Sequence, residues 1–127
     1  MRRLAQPSHN ESHPSGARLD LFERVPDAAR AGEPVRCEWD LENCGLTSVT
    51  ARLYLSADRA NLTDLRCPGG RVLRGRHHAS AFVVVDAGAM GTVSAMLELD
   101  DPGVHTIRAT VFTKSGTVSR THSVFVS

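Results

Sequence analysis

The stretch that most constrains the fold is residues 34–56, where apolar and polar residues alternate without a break. In its first half the apolar positions are Val35, Cys37, Trp39 and Leu41, and in its second half they are Val49, Ala51, Leu53 and Leu55. Because successive side chains of a strand point to opposite faces, each half predicts a strand with one dry and one wet face. The sequence Asn43-Cys44-Gly45 predicts a turn between them, so the two strands are expected to be neighbours in an antiparallel sheet.

Most of the remaining chain repeats this pattern. Further strands are predicted at residues 17–25, 81–85, 92–99, 104–113 and 117–126. Residues 57–78 are predicted to be irregular, with a short edge strand at 71–73. No stretch has the periodicity of a helix of three turns. About seven strands with a turn roughly every ten residues are typical of an antiparallel β-sandwich or a small barrel.

The length of 127 residues and the net charge of +1 indicate one globular domain without a global field for nucleic acid. Residues 1–16 are polar and contain Pro7 and Pro14, which predicts a flexible N-terminal arm outside a sandwich of residues 17–127. No apolar stretch follows Arg2-Arg3, so neither a signal peptide nor a membrane segment is predicted. The expected location is the cytoplasm or a virion.

Three motifs resemble those of bacterial immunoglobulin-like domains of the cell-adhesion-related type. They are the Gly-Glu-Pro-Val sequence of residues 32–35, the turn at residues 43–45, and Pro-Gly-Val-His-Thr-Ile-Arg-Ala at residues 102–109. The resemblance implies an immunoglobulin-like β-sandwich. It also places His105 where such domains carry an aromatic residue, usually Tyr, that fixes a corner through its hydroxyl. His105 is therefore predicted to be a packed or hydrogen-bonded corner residue. The chain departs from the family in the length of segment 57–78 and in the missing secretion signal.

The residue types that could bind zinc are Cys37, Cys44, Cys67, His77 and His78. Their spacing matches no compact pair of ligands, and Cys37 is expected to face the core, so no metal site is predicted and the cysteines are interpreted as free thiols.

No Gly-x-Ser-x-Gly motif or phosphate-binding loop is present. Asp100-Asp101 precedes Pro-Gly, so turn formation explains this pair of carboxylates. We therefore expect neither a catalytic residue nor a cofactor.

A basic cluster within residues 66–78 is the best candidate for a partner-binding site. Its members are Arg66, Arg71, Arg74, Arg76, His77 and His78, and no acidic residue lies among them. Three interpretations stay open: a solvated loop, a grip on an acidic protein surface, or a grip on a phosphate backbone. No aromatic residue is interleaved to stack on bases, so nucleic acid is the least favoured partner. No membrane partner is expected.

Two functions are consistent with these observations. The first is a non-enzymatic structural or docking protein that binds a larger protein assembly, such as a decoration or accessory protein of a bacteriophage virion, bound to capsid or another virion protein. Its oligomeric state would then be set by the assembly. The second is a ligand- or peptide-binding immunoglobulin-like module of a bacterial adhesion or carbohydrate-associated protein. Because one fold hosts many functions, the sequence does not decide between them.

Overall fold

The computed structural model describes residues 18–127, which form ten β-strands in two sheets. The strands are β1 (Leu19–Arg24), β2 (Ala28–Ala29), β3 (Val35–Asn43), β4 (Val49–Ala57), β5 (Asn61–Arg66), β6 (Arg71–Arg74), β7 (His78–Val85), β8 (Met90–Glu98), β9 (Gly103–Thr113) and β10 (Gly116–Val126). The predicted arm, residues 1–16, lies outside the described residues. Within residues 18–127 there is no helix that is long and apolar enough to cross a membrane.

The two sheets are purely antiparallel except for one short pairing. The four-stranded sheet has the order β1-β3-β8-β5, and the six-stranded sheet has the order β2-β10-β9-β4-β7-β6. Only β2 and β10 pair in parallel among these strands. The predicted antiparallel β-sandwich is therefore confirmed. The described residues contain ten strands instead of about seven, because the short strands β2, β5 and β6 join the strands that periodicity predicts.

The core lies between the two sheets and is made of the predicted apolar positions. Trp39 and Leu41 of β3 and Leu53 of β4 are fully buried, as is Leu97 of β8. Their neighbours along each strand point away from the core, as the alternating pattern predicts. Trp39 is thus a core residue, in agreement with its place in the alternation.

The predicted pairing of the two strands in residues 34–56 is wrong. β3 pairs with β1 and β8, whereas β4 pairs with β7 and β9, so the turn between them carries the chain from one sheet to the other. The buried side chain of Asn43 holds this connection: its Nδ2 donates to the carbonyl oxygens of Thr47 and Val85, both at 2.8 Å. The two dry faces pack on each other, and a two-residue period does not distinguish such packing from pairing.

The prediction that residues 57–78 are largely irregular is also wrong. β5 is an edge strand of the four-stranded sheet, and β6, at the predicted edge-strand position, is an edge strand of the six-stranded sheet. A register shift interrupts β5 between Thr63 and Arg66, where Asp64 has a φ of 48°. This irregularity and the polar sequence of β5 hide its alternation.

The prediction for His105 is confirmed. The ring is fully buried at the start of β9, and its Nε2 donates to the carbonyl oxygen of Asp101 at 2.6 Å. Because a carbonyl oxygen only accepts, this contact requires a proton on Nε2. The imidazole fixes the corner that precedes β9.

Candidate functional site

The two sheets carry opposite formal charges. The strands of the six-stranded sheet contain no Asp or Glu, and their arginines are Arg52, Arg71, Arg74, Arg108 and Arg120. The strands of the four-stranded sheet contain Asp20, Glu23, Glu38, Asp40, Glu42, Asp64 and Glu98, with Arg24, Arg36 and Arg66. With histidines neutral, five arginines against no acid give +5, and three arginines against seven acids give −4. The net charge of the whole chain conceals this separation.

A row of alternating arginines and phenylalanines crosses the outer surface of the six-stranded sheet. Cross-strand pairing aligns Arg71 of β6, Phe82 of β7, Arg52 of β4 and Phe112 of β9. The guanidinium carbon of Arg52 lies 6.0 Å from the ring centroid of Phe82 and 5.3 Å from that of Phe112. The guanidinium carbon of Arg71 lies 5.5 Å from the Phe82 ring centroid. These distances are typical of cation–π contacts.

Around this row lies a surface that we call the basic face. It consists of Arg52, Tyr54, Arg71, Leu73, His78, Phe82, Arg108 and Phe112, whose side chains share the outer side of the six-stranded sheet. Leu73 and Phe112 expose 64% and 38% of their surface. Such partial exposure of large apolar groups beside arginines is typical of protein-binding surfaces, which are enriched in aromatic residues and Arg.

Two of the six predicted binding residues, Arg71 and His78, lie on the basic face. His78 stacks on Tyr54 with 6.1 Å between the ring centroids and 26° between the ring planes. Gly70 allows the turn before β6 to approach β7, because a Cβ at this position would collide with the carbonyl oxygen of Phe82. Folding therefore places aromatic rings beside the basic cluster. The sequence-based reason for disfavouring nucleic acid, the lack of such rings, does not apply to the folded chain.

Two others, Arg74 and Arg76, line an open cleft between β5 and β6, at the side of the sandwich. The cleft has a volume of about 290 Å³. The residues that line it are Asn61, Leu62, Thr63, Arg74, Gly75, Arg76 and Glu98. Two guanidinium groups against one carboxylate leave an excess of positive charge in this cleft.

The last two, Arg66 and His77, are engaged by other groups of the chain. The Nε of Arg66 lies 3.0 Å from Oδ1 of Asp64, and this hydrogen bond holds the pKa of Asp64 below its usual range. Nδ1 of His77 donates to the carbonyl oxygen of Ala60 at 2.7 Å. The structure thus divides the predicted cluster among the basic face, the cleft and these internal contacts.

The outer surface of the four-stranded sheet has a different organisation, because its arginines pair with its own carboxylates. Arg24 binds Glu38, with Nη2 and Oε1 2.6 Å apart, and also binds both carboxylate oxygens of Asp40. Thr92 donates its hydroxyl to Oδ1 of Asp40 at 2.9 Å. The hydrogen bond from Arg24 is the main reason that the pKa of the buried Asp40 lies below its usual range.

The three cysteines are free thiols in different environments. Cys37 and Cys67 are buried and Cys44 is exposed. Burial raises the pKa of Cys37 to about 12, and it also raises the pKa of Cys67. Among residues 18–127, no three of these cysteines, His77 and His78 gather within ligand distance of one another.

A different set of side chains has a geometry that could hold a metal ion. Asp20, Glu42 and Cys44 each place one ligand atom within 4.8 Å of the others. Desolvation, followed by the charge of Glu42 and a hydrogen bond to Asp20, raises the pKa of the Cys44 thiol. A metal ion bound there would have to displace the thiol proton.

Comparison with known proteins bears on the fold. No protein-family model matches the chain, and no curated protein matches its sequence. The CARDB domain of the PF1109 protein from Pyrococcus furiosus, in complex with di-metal ions, is similar in structure with a TM-score of 0.66 and 15% identity, over 88% of this chain and 94% of that chain. The C-terminal domain of the Streptococcus agalactiae AgI/II polypeptide BspA is similar with a TM-score of 0.63 and 8% identity, over 84% of this chain and 50% of that chain.

A third structure of this kind is the cohesin module from a Clostridium perfringens family 33 glycoside hydrolase. It gives a TM-score of 0.56 and 13% identity, over 86% of this chain and 98% of that chain. At such identities the likeness shows the fold alone. The chain is therefore an immunoglobulin-like β-sandwich, and the resemblance to the cell-adhesion-related bacterial type that its motifs predict is confirmed at the level of the fold.

Arg52, Tyr54, Phe82 and Phe112 of the basic face are absent from the sequence-based prediction of the site. One signal in the sequence could have found this surface. Residues 65–85 and 102–127 contain no Asp or Glu, and together they include β6, β7, β9 and β10. The apolar run at 81–85 gives no such signal, because the alternation of buried Ala81, Val83 and Val85 with Val84, which is 58% exposed, is visible only in the structure.

Proposed function

We propose that this chain is a non-enzymatic binding module that docks through its basic face onto an acidic surface of a larger protein assembly. One observation carries the proposal: the six-stranded sheet presents arginines and aromatic rings on its outer side, and none of its strands contains a carboxylate. In this proposal, the carboxylates that pair with these arginines come from the partner.

The stacking of Arg52 supports a protein partner. Its side chain lies between Phe82 and Phe112, so its guanidinium is oriented before binding. Its Nε and Nη2 both lie 3.4 Å from the Ser80 hydroxyl, a long contact that leaves donors free for a carboxylate. Pre-organised arginines beside aromatic rings are the residues that most often dominate binding energy at protein interfaces.

A protein surface fits better than single-stranded nucleic acid. Bases stack on open aromatic faces. Arg52 lies over the Phe82 and Phe112 rings, and Arg71 also lies over Phe82, so bases would compete with these arginines. A homopolymeric single-stranded oligonucleotide provides the direct test, and tight binding to it would contradict an acidic protein partner.

A bacteriophage virion is a more specific form of this proposal. A viral shell offers many copies of one surface, and a shell protein with an acidic exterior would suit the basic face. Neither the fold nor the similar structures favour a viral shell over another assembly. The partner is therefore defined by its acidic surface.

Charge reversal on the basic face tests the proposed function. The tagged full chain and its Arg52→Glu variant are used to purify partners from source cells, and affinity for the identified acidic protein is then measured at increasing salt. We expect Arg52→Glu to weaken binding by at least about tenfold, and salt to weaken wild-type binding. Arg30→Glu, the same change on an exposed connector between β2 and β3, is the matched control. Equal affinity of the Arg52→Glu variant and wild type would exclude the basic face.

A second candidate is a ligand- or peptide-binding module of an adhesion or carbohydrate-associated protein. The similarity to the cohesin module of a glycoside hydrolase favours it at the level of the fold. Such a module would bind polysaccharide or a neutral peptide with little dependence on salt. A glycan array probed with wild type and the Arg52→Glu variant separates the two functions, because glycan binding through another surface would survive the charge reversal.

A further inference from the structure

We propose that the partner contributes an extended segment that adds to the six-stranded sheet beside β6, and that this segment reads acid, apolar, apolar, acid. The inference rests on the proposed function in taking the partner to be acidic. It goes further by naming the structural element and the sequence pattern that the chain recognises.

The edge formed by β6 is open for strand addition. β6 is the last strand of its sheet and, within residues 18–127, pairs only with β7. All four of its residues, Arg71 to Arg74, are exposed. The outer edge of such a strand presents unpaired N–H and C=O groups, and an extended peptide can bind them as an additional strand.

The side chains of β6 alternate between two environments. Arg71 and Leu73 pair with Phe82 and Ser80 and therefore lie on the basic face. Val72 and Arg74 pair with the buried residues Ala81 and Ala79, so they lie on the inner side, where Arg74 lines the cleft. Each side of the edge thus carries one arginine and one apolar residue.

An added strand places its side chains beside those of β6, face by face. Carboxylates beside Arg71 and Arg74, with apolar side chains beside Val72 and Leu73, give the pattern acid, apolar, apolar, acid. Because Arg-Val-Leu-Arg has the same pattern from either end, the complement is the same for parallel and antiparallel addition. Val72 and Leu73 expose 38% and 64% of their surface, which the two apolar side chains would cover.

The cleft beside β6 favours an acidic residue of the partner segment at the position next to Arg74. Arg76 lies near Arg74 in the lining of this cleft, and together they outweigh the single carboxylate of Glu98. A second copy of this chain is a poorer occupant. With like faces together, antiparallel pairing of two β6 strands places Arg71 beside Leu73, so that neither arginine meets a carboxylate.

The first test is a titration of the full chain with a labelled peptide that has a Glu-Val-Val-Glu core flanked by threonines. The control peptide carries the permuted core Val-Glu-Glu-Val, which has the same composition and charge. We expect the first peptide to bind about tenfold more tightly, because only its carboxylates align with the two arginines. Equal affinity of the two peptides would overturn the proposal, since it would show attraction without register. A mass measurement showing a dimer in place of peptide binding would overturn it as well.

Proline substitution then tests backbone pairing. In an antiparallel edge strand, consecutive residues direct their N–H groups alternately to the neighbouring strand and to the free edge. Of Val72→Pro and Leu73→Pro, one removes a bond to β7 and lowers the melting temperature. The other removes only a free donor, and we expect it to keep the melting temperature and lose peptide binding. If the variant with the unchanged melting temperature binds the peptide like wild type, strand addition is excluded.

A charge swap gives the same answer without depending on proline. In the double variant Arg71→Glu with Arg74→Glu, we expect the Glu-Val-Val-Glu peptide to lose binding and a Lys-Val-Val-Lys peptide to gain it. Absence of this exchange contradicts the proposal. The two proposals fail separately. An acidic partner that depends on Arg52 but tolerates these β6 variants binds the basic face without strand addition, so only the further inference fails. A partner that tolerates Arg52→Glu excludes the basic face.

Discussion

The outer surfaces of the two sheets use arginine in opposite ways. On the four-stranded sheet, Arg24 pairs with Glu38 and with the buried Asp40, so its charge is compensated within the chain. On the six-stranded sheet, Arg52 and Arg71 stack on phenylalanine rings, and no strand of that sheet contains a carboxylate. The first arrangement stabilises the fold, whereas the second leaves cations that an external acid can pair with.

This difference separates structural residues from candidate binding residues within one small domain. A cation whose carboxylate is supplied by its own sheet is costly to remove, because removal leaves a buried acid without a partner. A cation that rests on an exposed ring contributes less to folding and remains free for a partner. Substitutions of arginines or their partners in the two sheets should therefore differ in how much they lower the free energy of unfolding and in whether they weaken binding.

The largest effect on stability is expected in the connection between β3 and β4, which carries the chain from one sheet to the other. Asn43→Ala removes the hydrogen bonds to Thr47, Val85 and the Gly45 amide, and it leaves the buried carbonyl oxygen of Val85 without its side-chain donor. We expect the free energy of unfolding to fall by about 3 kcal/mol, measured by urea denaturation.

The control for this change lies in the same connection. Ser48→Ala removes one exposed hydrogen bond to Asp86 and should cost at most about 0.5 kcal/mol. If the two variants are equally stable, the hydrogen bonds of Asn43 do not hold the connection between β3 and β4.

The next largest effect is expected for the compensated charge of the four-stranded sheet. Asp40→Ala removes a carboxylate that accepts from Arg24 and Thr92, and it should cost about 1–2 kcal/mol at neutral pH. Because the pKa of Asp40 is lower in the folded chain, its contribution is present above the unfolded value of about 4 and is lost as pH falls through the folded pKa.

Stability measured against pH provides the check on this sign. The unfolding free energy of the wild type should fall more steeply below pH about 4 than that of Asp40→Asn, which cannot titrate at this position. Parallel curves for the two proteins would show that Asp40 titrates alike in both states, contrary to its hydrogen bonds with Arg24 and Thr92.

The stacked arginine should have a smaller effect on stability than on binding. Arg52→Ala loses cation–π contacts with Tyr54, Phe82 and Phe112 on an exposed surface, so we expect a cost of about 0.5 kcal/mol. Affinity for the acidic partner should nevertheless fall by at least about tenfold. A stability loss as large as that of Asp40→Ala, with unchanged affinity, would assign Arg52 to the fold and end the contrast between the sheets.

Much of the fold can be predicted from sequence because burial on one face imposes a two-residue period. Cys37, Trp39, Leu53 and Ile107 are all buried where the alternation places them. The sheet to which each strand belongs cannot be predicted in this way, because β3 and β4 have the same period whether they pair or pack face to face. The missing pairing information lies in contacts between strands that are distant in sequence.

The candidate site could be predicted only in part for the same reason. The lack of acid marks the segment that holds Arg71 and His78, and this is a local property of the sequence. The rings that accompany them, Tyr54 and Phe82, come from other positions and meet them only through the register of the six-stranded sheet. Arg66 belongs to the same local run but lies on the other sheet, where Asp64 neutralises it.

The smallest expected effect comes from supplying the missing acid to the six-stranded sheet. Ser56 lies directly opposite Arg108 in the pairing of β4 with β9, so Ser56→Glu provides a cross-strand carboxylate. We expect a gain of about 0.3 kcal/mol over Ser56→Gln, measured by thermal denaturation at low salt and lost at high salt. The same carboxylate should weaken binding of the acidic partner, because it neutralises part of the basic face. A gain in stability without loss of affinity would place Arg108 outside the binding surface and restrict that surface to the row of Arg71, Phe82, Arg52 and Phe112.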